Sequence, residues 1–569
     1  MSAPAHEARG LARWLPIASW LPRYQGAWLP SDLIAALTVW AVVVPQAIAY
    51  AQIAGLPPAA GLVATIAGLA AYAVLGTSRQ LIVSPTSSTA AISAALVAPM
   101  ALGDPVRFAA LSATLAILCG LALGAFGLLK MGFLSRFIAP SVQAGFMVGL
   151  GLTIIAGQIP KLIGTPSVSG DFITEVEGIL PNLAEFNAWT LAIGIGSLAA
   201  LFLFRRYAPA LPGALIVVVA SILLVSVLDL ADRGVDVLGS IDSVVPTAAV
   251  PDVGWADVVA LIPGALIIAI IGVAEALTIA ERFADEHRYQ IRPDQELVAS
   301  GASNIASGFL GAFMIAGGAS QSAANDRAGA KTLLAGAMVA VLVLATLLFL
   351  LPIFANLPQA VLAAIVITAV LGFVDFAPIR RIGQLRRDAL VLALLAGAGV
   401  IFLGVLPGLV IAVAASIGAI LVRLAKPSGD VLGQLPGSRA FASVERHPEA
   451  IRVPGVLVYR LNAPLMMLNA KLLRERVDAE IYASETPIRA VVIDMTANSE
   501  LDVGTVDVLA AFQSDLARRG IAMALGDVVA AVREMLARSG LEASIGPERV
   551  HRLLADAVAS VSGEASEDQ

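Results

Sequence analysis

The sequence predicts a polytopic α-helical membrane protein. Fourteen membrane segments form two inverted halves of seven (a 7+7 inverted repeat), each half holds one half-helix, and a soluble α/β domain follows. Three observations carry this. The chain has 569 residues, 58% hydrophobic and 14% charged, with a mean hydropathy of +0.86; soluble domains do not carry that composition. Apolar runs fill the chain between about Asp32 and Leu424, and from Lys426 onward charge returns at a globular density, which separates a membrane part from a soluble part. Two short stretches of small and hydroxyl-bearing residues, Ser84–Ala91 (SPTSSTAA) and Gly317–Asn325 (GGASQSAAN), each follow a brief strand-like run, Leu81-Ile82-Val83 and Phe313-Met314-Ile315. Each is too short to cross a bilayer, which takes ~20 apolar residues. Two such segments at matching places in two halves mark a transporter with broken helices.

Taken in order, residues 1–30 form an N-terminal segment. Trp14, Trp20 and Trp28 mixed with Arg13 and Arg23 read as interfacial or packed on the membrane part, and Pro16 and Pro22 deny it the apolar core of a signal peptide. The membrane domain occupies 31–426, with segments at about 31–53, 57–75, 86–98, 106–128, 132–158, 188–205, 211–230, 256–281, 294–310, 319–329, 331–352, 358–376, 388–404 and 406–424. The first helix begins near Pro30 and its short segment near Pro85. The eighth begins near Trp255 and its short segment near Gly318. The two gaps match, and an odd number of segments per half makes the halves inverted. A linker is expected at 427–437, then strands alternating with helices to 558, with strands at VPGVLVYRL, AVVID and IAMAL and helices at about 465–481, 503–519 and 528–539. That alternation reads as a compact α/β domain. Residues 559–569 read as a disordered tail.

Charge orients the chain. An even count places both termini on one side. With the termini cytoplasmic, the inner loops hold Arg79, Lys130, Arg136, Arg205, Arg206, Arg282, Arg288, Arg292, Lys331, Arg380, Arg381, Arg386, Arg387, Arg423 and Lys426. The outer loops hold Arg107, Lys161 and Arg233 and are acidic, with Asp171, Glu175, Glu177, Asp232, Asp236, Asp242 and Asp252. This asymmetry predicts a multi-pass protein of the cell (inner) membrane with cytoplasmic N- and C-termini. Cys119 is the one cysteine, and the four histidines fall in tails or loops. Neither a disulfide nor a histidine–cysteine metal cluster is expected.

The half-helices set the chemistry. A helix that starts in mid-membrane leaves its first N–H groups unpaired, and its dipole favours negative charge there. Thr86/Ser87 and Ala319/Ser320 are expected to begin two such helices, whose N-termini face each other across an anion. Pro45 is expected to interrupt the first helix and free backbone groups near Gln46. The Gln46 amide then either donates to an oxyanion or joins two helices. Glu275, in IAIIGVAEALTIAERFA, is an intramembrane carboxylate and so a functional candidate, the alternative being a structural partner for a serine or a backbone amide. Asp326, beside Arg327, reads as a loop ion pair.

The run DLIAALTVWAVVVPQAIAYAQIAGLPPAAGL (Asp32–Leu62) resembles the signature of the SulP anion transporter family, which includes bacterial sulfate and bicarbonate permeases and animal anion exchangers. GTSRQLIVSPTSS (Gly76–Ser88) resembles its second signature, and the C-terminal unit resembles the STAS domain of that family. The resemblance covers nearly the whole chain in family order. It implies a core that carries substrate, a gate that dimerises and elevator-like movement of the core. Carried over residue by residue, it implies substrate binding by Gln46, Tyr50, Thr86, Ser320 and Gln321, with proton coupling at Glu275. Many members have arginine where this chain has Gln321, and a missing fixed charge weakens the hold on a dianion. Ser84 stands where glycine is usual before the proline. Soluble STAS switches place a serine or threonine two residues after the signature aspartate, whereas Asp502 here is followed by Val503 and Gly504, and Thr505 comes one place later. A structural, dimerising or regulatory domain is expected rather than a phosphoswitch.

The function expected is secondary active transport of a small anion (sulfate, bicarbonate or a C4-dicarboxylate), driven by H⁺ or Na⁺ or working by exchange. The expected partners are the anion, a coupling cation, the lipid bilayer and a second copy in a homodimer. No cofactor, no nucleic acid and no enzyme chemistry are expected, since no P-loop, triad or metal motif is present. A nucleobase permease of the same fold and a membrane-anchored signalling protein are the alternatives. The first normally pairs acidic residues in the eighth and tenth segments, and the tenth segment here has Gln321; the second needs the phosphoacceptor that is missing.

Overall fold

The structure is a computed structural model, and it describes residues 15–132, 140–166, 172–208, 211–239, 246–371, 374 and 376–563. It divides into two compact units, Met1–Ser416 and Ile417–Gln569. Residues 1–14 of the expected N-terminal segment lie outside the described residues; further along it, Tyr24 and Trp28 stack edge to face at 5.9 Å.

The first half of the membrane unit holds α1 (Leu29–Ile53), α2 (Pro58–Leu75), α3 (Ser87–Ala101), α4 (Pro105–Leu128), α5 (Pro140–Ile163), α6 (Ala188–Tyr207) and α7 (Gly213–Val227). The second half holds α8 (Trp255–Glu286), α9 (Pro293–Phe309), α10 (Ala319–Arg327), α11 (Leu334–Ala345), α12 (Gln359–Val370), α13 (Arg387–Leu403) and α14 (Val405–Ala425). Among the described residues, seven helices are long and apolar enough to cross a membrane. Local chemistry sets many starts. Proline stands at the first position of α2, α4 and α9, where its missing N–H costs nothing. Asp104 caps α4 by accepting from Val106 N and Arg107 N, and Asn187 caps α6 in the same way.

α1–α4 pack with α8–α11 in one bundle, and α5–α7 pack with α12 and α13 in another. Within the first bundle α4 and α9 meet at glycines: a Cβ on Gly120 would lie 2.6 Å from the Gly301 carbonyl oxygen, and one on Gly301 2.6 Å from that of Gly120. Small residues let membrane helices approach this closely. The halves also match in their caps. Asp32, in the first turn of α1, is fully buried; its Oδ1 accepts from Lys331 N (2.7 Å) and Thr332 N (3.2 Å) and its Oδ2 from the Thr332 hydroxyl (2.7 Å), just before α11. Asp257, in the first turn of α8, pairs with Arg107 at the start of α4 at 3.0 Å.

Several expectations are corrected. Pro45 does not interrupt α1, which runs unbroken from Leu29 to Ile53. The proline removes one donor from the ladder, but the packing of α1 against α2 keeps the helix whole: a Cβ on Gly61 would collide with the Ala47 carbonyl oxygen. The fifth segment, expected at 132–158, lies at Pro140–Ile163, with 133–139 outside the described residues. Two amphipathic helices, Phe172–Asn182 and Ala377–Leu385, occupy stretches expected as loops.

In the second unit five strands form one sheet: β3 (Gly429–Gln434), β4 (Phe441–Ser443), β5 (Val456–Leu461), β6 (Ala490–Asp494) and β7 (Ala522–Gly526), in the order β4-β3-β5-β6-β7. β5, β6 and β7 run parallel, and β3 is antiparallel to both its neighbours. The parallel crossovers carry α15 (Ala470–Ala483) and α16 (Val503–Arg518), and then α17 (Ala530–Arg538) follows. These helices cover one face of the sheet, through Leu473, Val477, Leu509, Phe512, Leu516, Val532 and Leu536. α18 (Leu554–Ser562) covers the other, setting Leu554, Ala557 and Val558 against Val456, Val458, Val492 and Ala524. Two boundaries change as a result. The stretch expected as a linker, 427–437, contains β3, whose pairing with β5 makes a strand of a sequence too rich in Gly and Asp to read as one. The expected tail at 559–569 is helical as far as Ser562, and 564–569 lies outside the described residues.

Candidate functional site

The two broken crossings meet as an antiparallel pair of two-residue strands. β1 (Val83–Ser84) pairs with β2 (Ala316–Gly317), Val83 opposite Gly317 and Ser84 opposite Ala316. α3 starts three residues after β1, at Ser87, and α10 starts two residues after β2, at Ala319. Antiparallel strands that each turn into a helix carry the two helix N-termini to one place. Extended backbone at this depth must find internal partners, and polar side chains supply them. Asn304 of α9 holds Ile315 by both its N–H and its C=O (2.9 Å each). The Ser307 hydroxyl donates to Phe313 O (2.6 Å). On the other crossing, Ile82 N donates to Ser322 Oγ (2.9 Å), Gly318 N donates to Ile82 O (2.9 Å), and the Asn325 amide donates to Gln80 O (3.1 Å). α10 is thus pinned to the strand that leads into α3, and α9 holds the strand that leads into α10.

The N-termini differ. Thr86 and Thr89 form a capping box on α3: Thr86 Oγ1 accepts from Thr89 N, and Thr89 Oγ1 accepts from Thr86 N, both at 3.2 Å. α10 has Gly318 at its cap and no side-chain cap. The N–H groups of Ser87 and Ser88 on α3, and of Ala319, Ser320 and Gln321 on α10, have no backbone acceptor among the described residues. Thr86 and Ser87 are buried, whereas Ala319 and Ser320 are exposed.

Side chains close the site. Gln321 Nε2 donates to Gln46 Oε1 at 2.8 Å, linking α10 to α1, and both residues are buried. The helix–helix hydrogen bond foreseen as the alternative for Gln46 therefore exists, and it uses only the carbonyl side of that amide. Tyr50, one turn further along α1, is buried, and no described residue hydrogen-bonds its hydroxyl. Gln321 folds back over its own helix start, where a Cβ on Gly318 would collide with Gln321 Oε1. Glycine at 318 is what leaves that space.

Glu275 of α8 lies behind α3. Its Oε1 accepts from the Ser88 hydroxyl at 3.4 Å, so the serine partner foreseen as the alternative is present. A cavity of about 20 Å³ adjoins Glu275, Ser88, Thr89, Cys119 and Asn304, room for about one water molecule. Asp326 contacts His287 at the end of α8 at 2.5 Å, and Arg327 donates to Ala323 O at 3.2 Å, so among the described residues the expected Asp326–Arg327 pair does not form.

Sequence reasoning missed Glu296. It is fully buried on α9, accepts from the Tyr72 hydroxyl at Oε2 (2.6 Å), and accepts at Oε1 from Thr77 N (2.6 Å), the Thr77 hydroxyl (2.5 Å) and Ser78 N (3.1 Å). It fixes the loop that leads into β1 and α3. Its sequence context, RPDQELVASG, is polar and reads as an acidic first helical turn, so the signal that singled out Glu275 was lacking. In the second unit Asp502 caps α16 by accepting from Thr505 N at 2.7 Å. Thr505 itself is fully buried.

Residues 29–405 match the Sulfate permease family, and residues 447–557 match the STAS domain. A probable sulfate transporter of Mycobacterium tuberculosis is 38% identical over 547 residues, covering 96% of this chain and 98% of the relative. Sulfate transporter 3.1 of Arabidopsis thaliana is 29% identical over 538 residues, covering 91% and 82%. Among solved structures, the murine Solute Carrier 26 family member A9 anion transporter in its inward-facing state superposes with a TM-score of 0.89 at 24% identity, covering 99% of this chain and 97% of that one.

Proposed function

The chain belongs to the sulfate permease family, and we propose that it is a secondary anion transporter, not an enzyme, that binds its substrate between the N-termini of α3 and α10. One observation carries the reading: two half-helices grow out of a single antiparallel strand pair, and their first N–H groups have no backbone acceptor. Such groups, with the helix dipoles behind them, favour an anion without a full positive charge. Thr86, Ser87, Ala319 and Ser320 form the two helix starts of this site. Gln46, Tyr50 and Gln321 supply neutral donors around them. With Gln321 where a guanidinium would add fixed charge, the site holds dianions less strongly than an arginine-bearing one would.

Glu275 is assigned proton coupling. Its carboxylate sits behind α3 and is joined to that helix through Ser88. A protonated Glu275 removes a negative charge from the neighbourhood of the anion, so the two ligands favour each other. The bundle α1–α4 with α8–α11 is the moving core, and α5–α7 with α12–α14 the gate, in an elevator cycle run by a homodimer in the inner membrane with cytoplasmic termini. The STAS unit is regulatory or structural, in keeping with the burial of Thr505.

The test is radiolabelled uptake into proteoliposomes, with sulfate, bicarbonate and fumarate tested separately, each with and without an inward pH gradient. Accumulation of one of them, driven by the gradient, is the expected result. Folded protein that takes up none of them overturns the reading.

A further inference from the structure

We propose that Ser88 is the positioning residue that conveys the protonation state of Glu275 to the anion site, by reversing the direction of a hydrogen-bond chain that runs Glu275–Ser88–Thr86 to the start of α3. This rests on the anion site and the coupling role proposed above, and it names the path between them.

The geometry is a linear chain of oxygens. Ser88 Oγ lies 3.4 Å from Glu275 Oε1 and 2.9 Å from Thr86 Oγ1. Thr86 Oγ1 lies 3.0 Å from Thr89 Oγ1, but the Thr89 hydroxyl is committed to Thr86 O at 3.0 Å. A hydroxyl has one proton, so the chain can be counted. When Glu275 is ionised it only accepts. Ser88 then spends its proton on Glu275, Thr86 spends its proton on Ser88, and neither of these two hydroxyls is left to donate in front of α3. When Glu275 is protonated, its O–H donates to Ser88 and Ser88 donates to Thr86. The Thr86 proton is then freed from Ser88 and can go to Thr89 Oγ1 or to an anion placed before the helix start, and a bound anion takes it. No covalent bond other than the O–H of Glu275 changes. The capping interaction, Thr86 Oγ1 accepting from Thr89 N, stands in both states.

The surroundings make this chain the available route. Among the described residues that line the cavity beside Glu275, Cys119 of α4 is the other titratable group. α3 and β2 bring no charge to it. On α9, Asp294 is tied to Gly132 N and Glu296 to Tyr72, Thr77 and Ser78. On α10, Asp326 is tied to His287. On α8 itself, Asp257 pairs with Arg107, and Glu281 lies six residues on, nearer the end of the helix. Position 321, which would bring a cation from α10, is glutamine and bonds Gln46 instead. Arg282, seven residues on along α8, lies over the Phe283 ring, and Arg327 of α10 donates to Ala323 O; neither lines the cavity beside Glu275, so the hydroxyl chain is the contact that joins Glu275 to the start of α3.

The experiment measures binding of radiolabelled sulfate, bicarbonate and fumarate to the purified full-length protein between about pH 5.5 and 8, for wild type, Glu275→Gln, Ser88→Ala and Ser88→Thr. Wild type is expected to bind its anion more tightly in acid, by roughly tenfold, the scale of one hydrogen bond to a charged group. Glu275→Gln, whose amide N–H donates to Ser88 permanently, is expected to bind with the acid affinity at every pH. Ser88→Ala removes the acceptor that ties up the Thr86 proton when Glu275 is ionised, so it is expected to lose most of the pH dependence and bind near the acid affinity throughout, and Ser88→Thr to restore the pH dependence. If Ser88→Ala retains the full gain while Glu275→Gln abolishes the pH dependence, the chain is wrong and the coupling role of Glu275 stands. If Glu275→Gln keeps the wild-type pH dependence, the coupling role falls and this proposal with it. Ser88→Ala that loses binding equally at all pH values makes Ser88 a contact or a structural residue and overturns the proposal. Folded wild type that binds none of the three overturns the anion site itself.

Discussion

Replacing Glu296 tests whether the site depends on the loop that feeds it. The carboxylate takes four hydrogen bonds from Tyr72, Thr77 and Ser78 and is fully buried. Hydrogen bonds to a charged group contribute about 1.5–3 kcal/mol, against about 0.5–1.5 for neutral pairs. Glu296→Gln keeps the shape and the oxygen that serves Thr77 and Ser78, but it removes the charge and turns an amide N–H toward Tyr72. Losing roughly 1 kcal/mol from each of the three bonds at Oε1 costs about 3 kcal/mol. Glu296→Ala costs more, because it leaves buried donors without partners. In thermal unfolding of the purified protein, Glu296→Gln is expected to lower Tm by about 3–6 °C, taking the smaller shifts per kcal/mol found for larger domains. Since the Gly76–Gln80 loop runs directly into β1 and α3, anion affinity should fall as well. A Glu296→Gln protein with unchanged Tm and unchanged affinity would refute the claim that this carboxylate positions α3.

Other outcomes follow from the same geometry. Ser320→Glu puts a negative charge on the exposed start of α10, and uptake should vanish while the protein still folds; normal uptake sinks the site. Gln321→Arg adds a guanidinium beside Gln46 and should raise affinity for sulfate more than for a monovalent anion, as competition binding would show; an equal effect on both argues against position 321 facing the substrate. In the STAS unit, burial first and Asp527 second push the Asp494 carboxyl above its usual range, against the pull of Thr496 and Arg460. The folded chain then holds that proton more tightly than the unfolded chain, so this contribution to stability is present in acid and lost as pH rises through the raised value. Asp494→Asn should raise the unfolding temperature of the soluble unit at neutral pH, the gain shrinking in acid; a gain that grows in acid contradicts the sign. Truncation before β3 should cost stability or trafficking more than anion binding, and a truncated, folded protein that binds no anion contradicts this.

The starts of the half-helices were legible because a membrane sets a length rule. A run such as SPTSSTAA cannot span, and its small, hydroxyl-bearing residues suit a helix start. Ser87 and Ala319 begin helices accordingly. Helix positions in the membrane unit were legible for the same reason, to within a few residues for most segments. What was not legible depended on distant partners. β3 has too little pattern of its own and is a strand because β5 lies beside it. Pro45 reads as a break until Gly61 is seen packed against the same turn. Asn304 and Ser307 look like ordinary polar residues on α9, and only the folded chain shows them holding Ile315 and Phe313. The partners of Glu275 and Gln321 could be posed as alternatives from sequence, but they could be decided only by geometry.

The strand pair between the half-helices also bears on how the protein is made. Ile82 and Ser322 are 240 positions apart, yet the N–H of one is satisfied by the hydroxyl of the other, and Val83 pairs with Gly317 across a similar distance. During synthesis the first broken crossing therefore enters the bilayer with its extended backbone unmatched, and it must wait for the tenth segment. Its interim partners are water or other polar groups. The paired helix starts are absent from any nascent chain that stops short of α10, and they come together late, when the second half docks against the first.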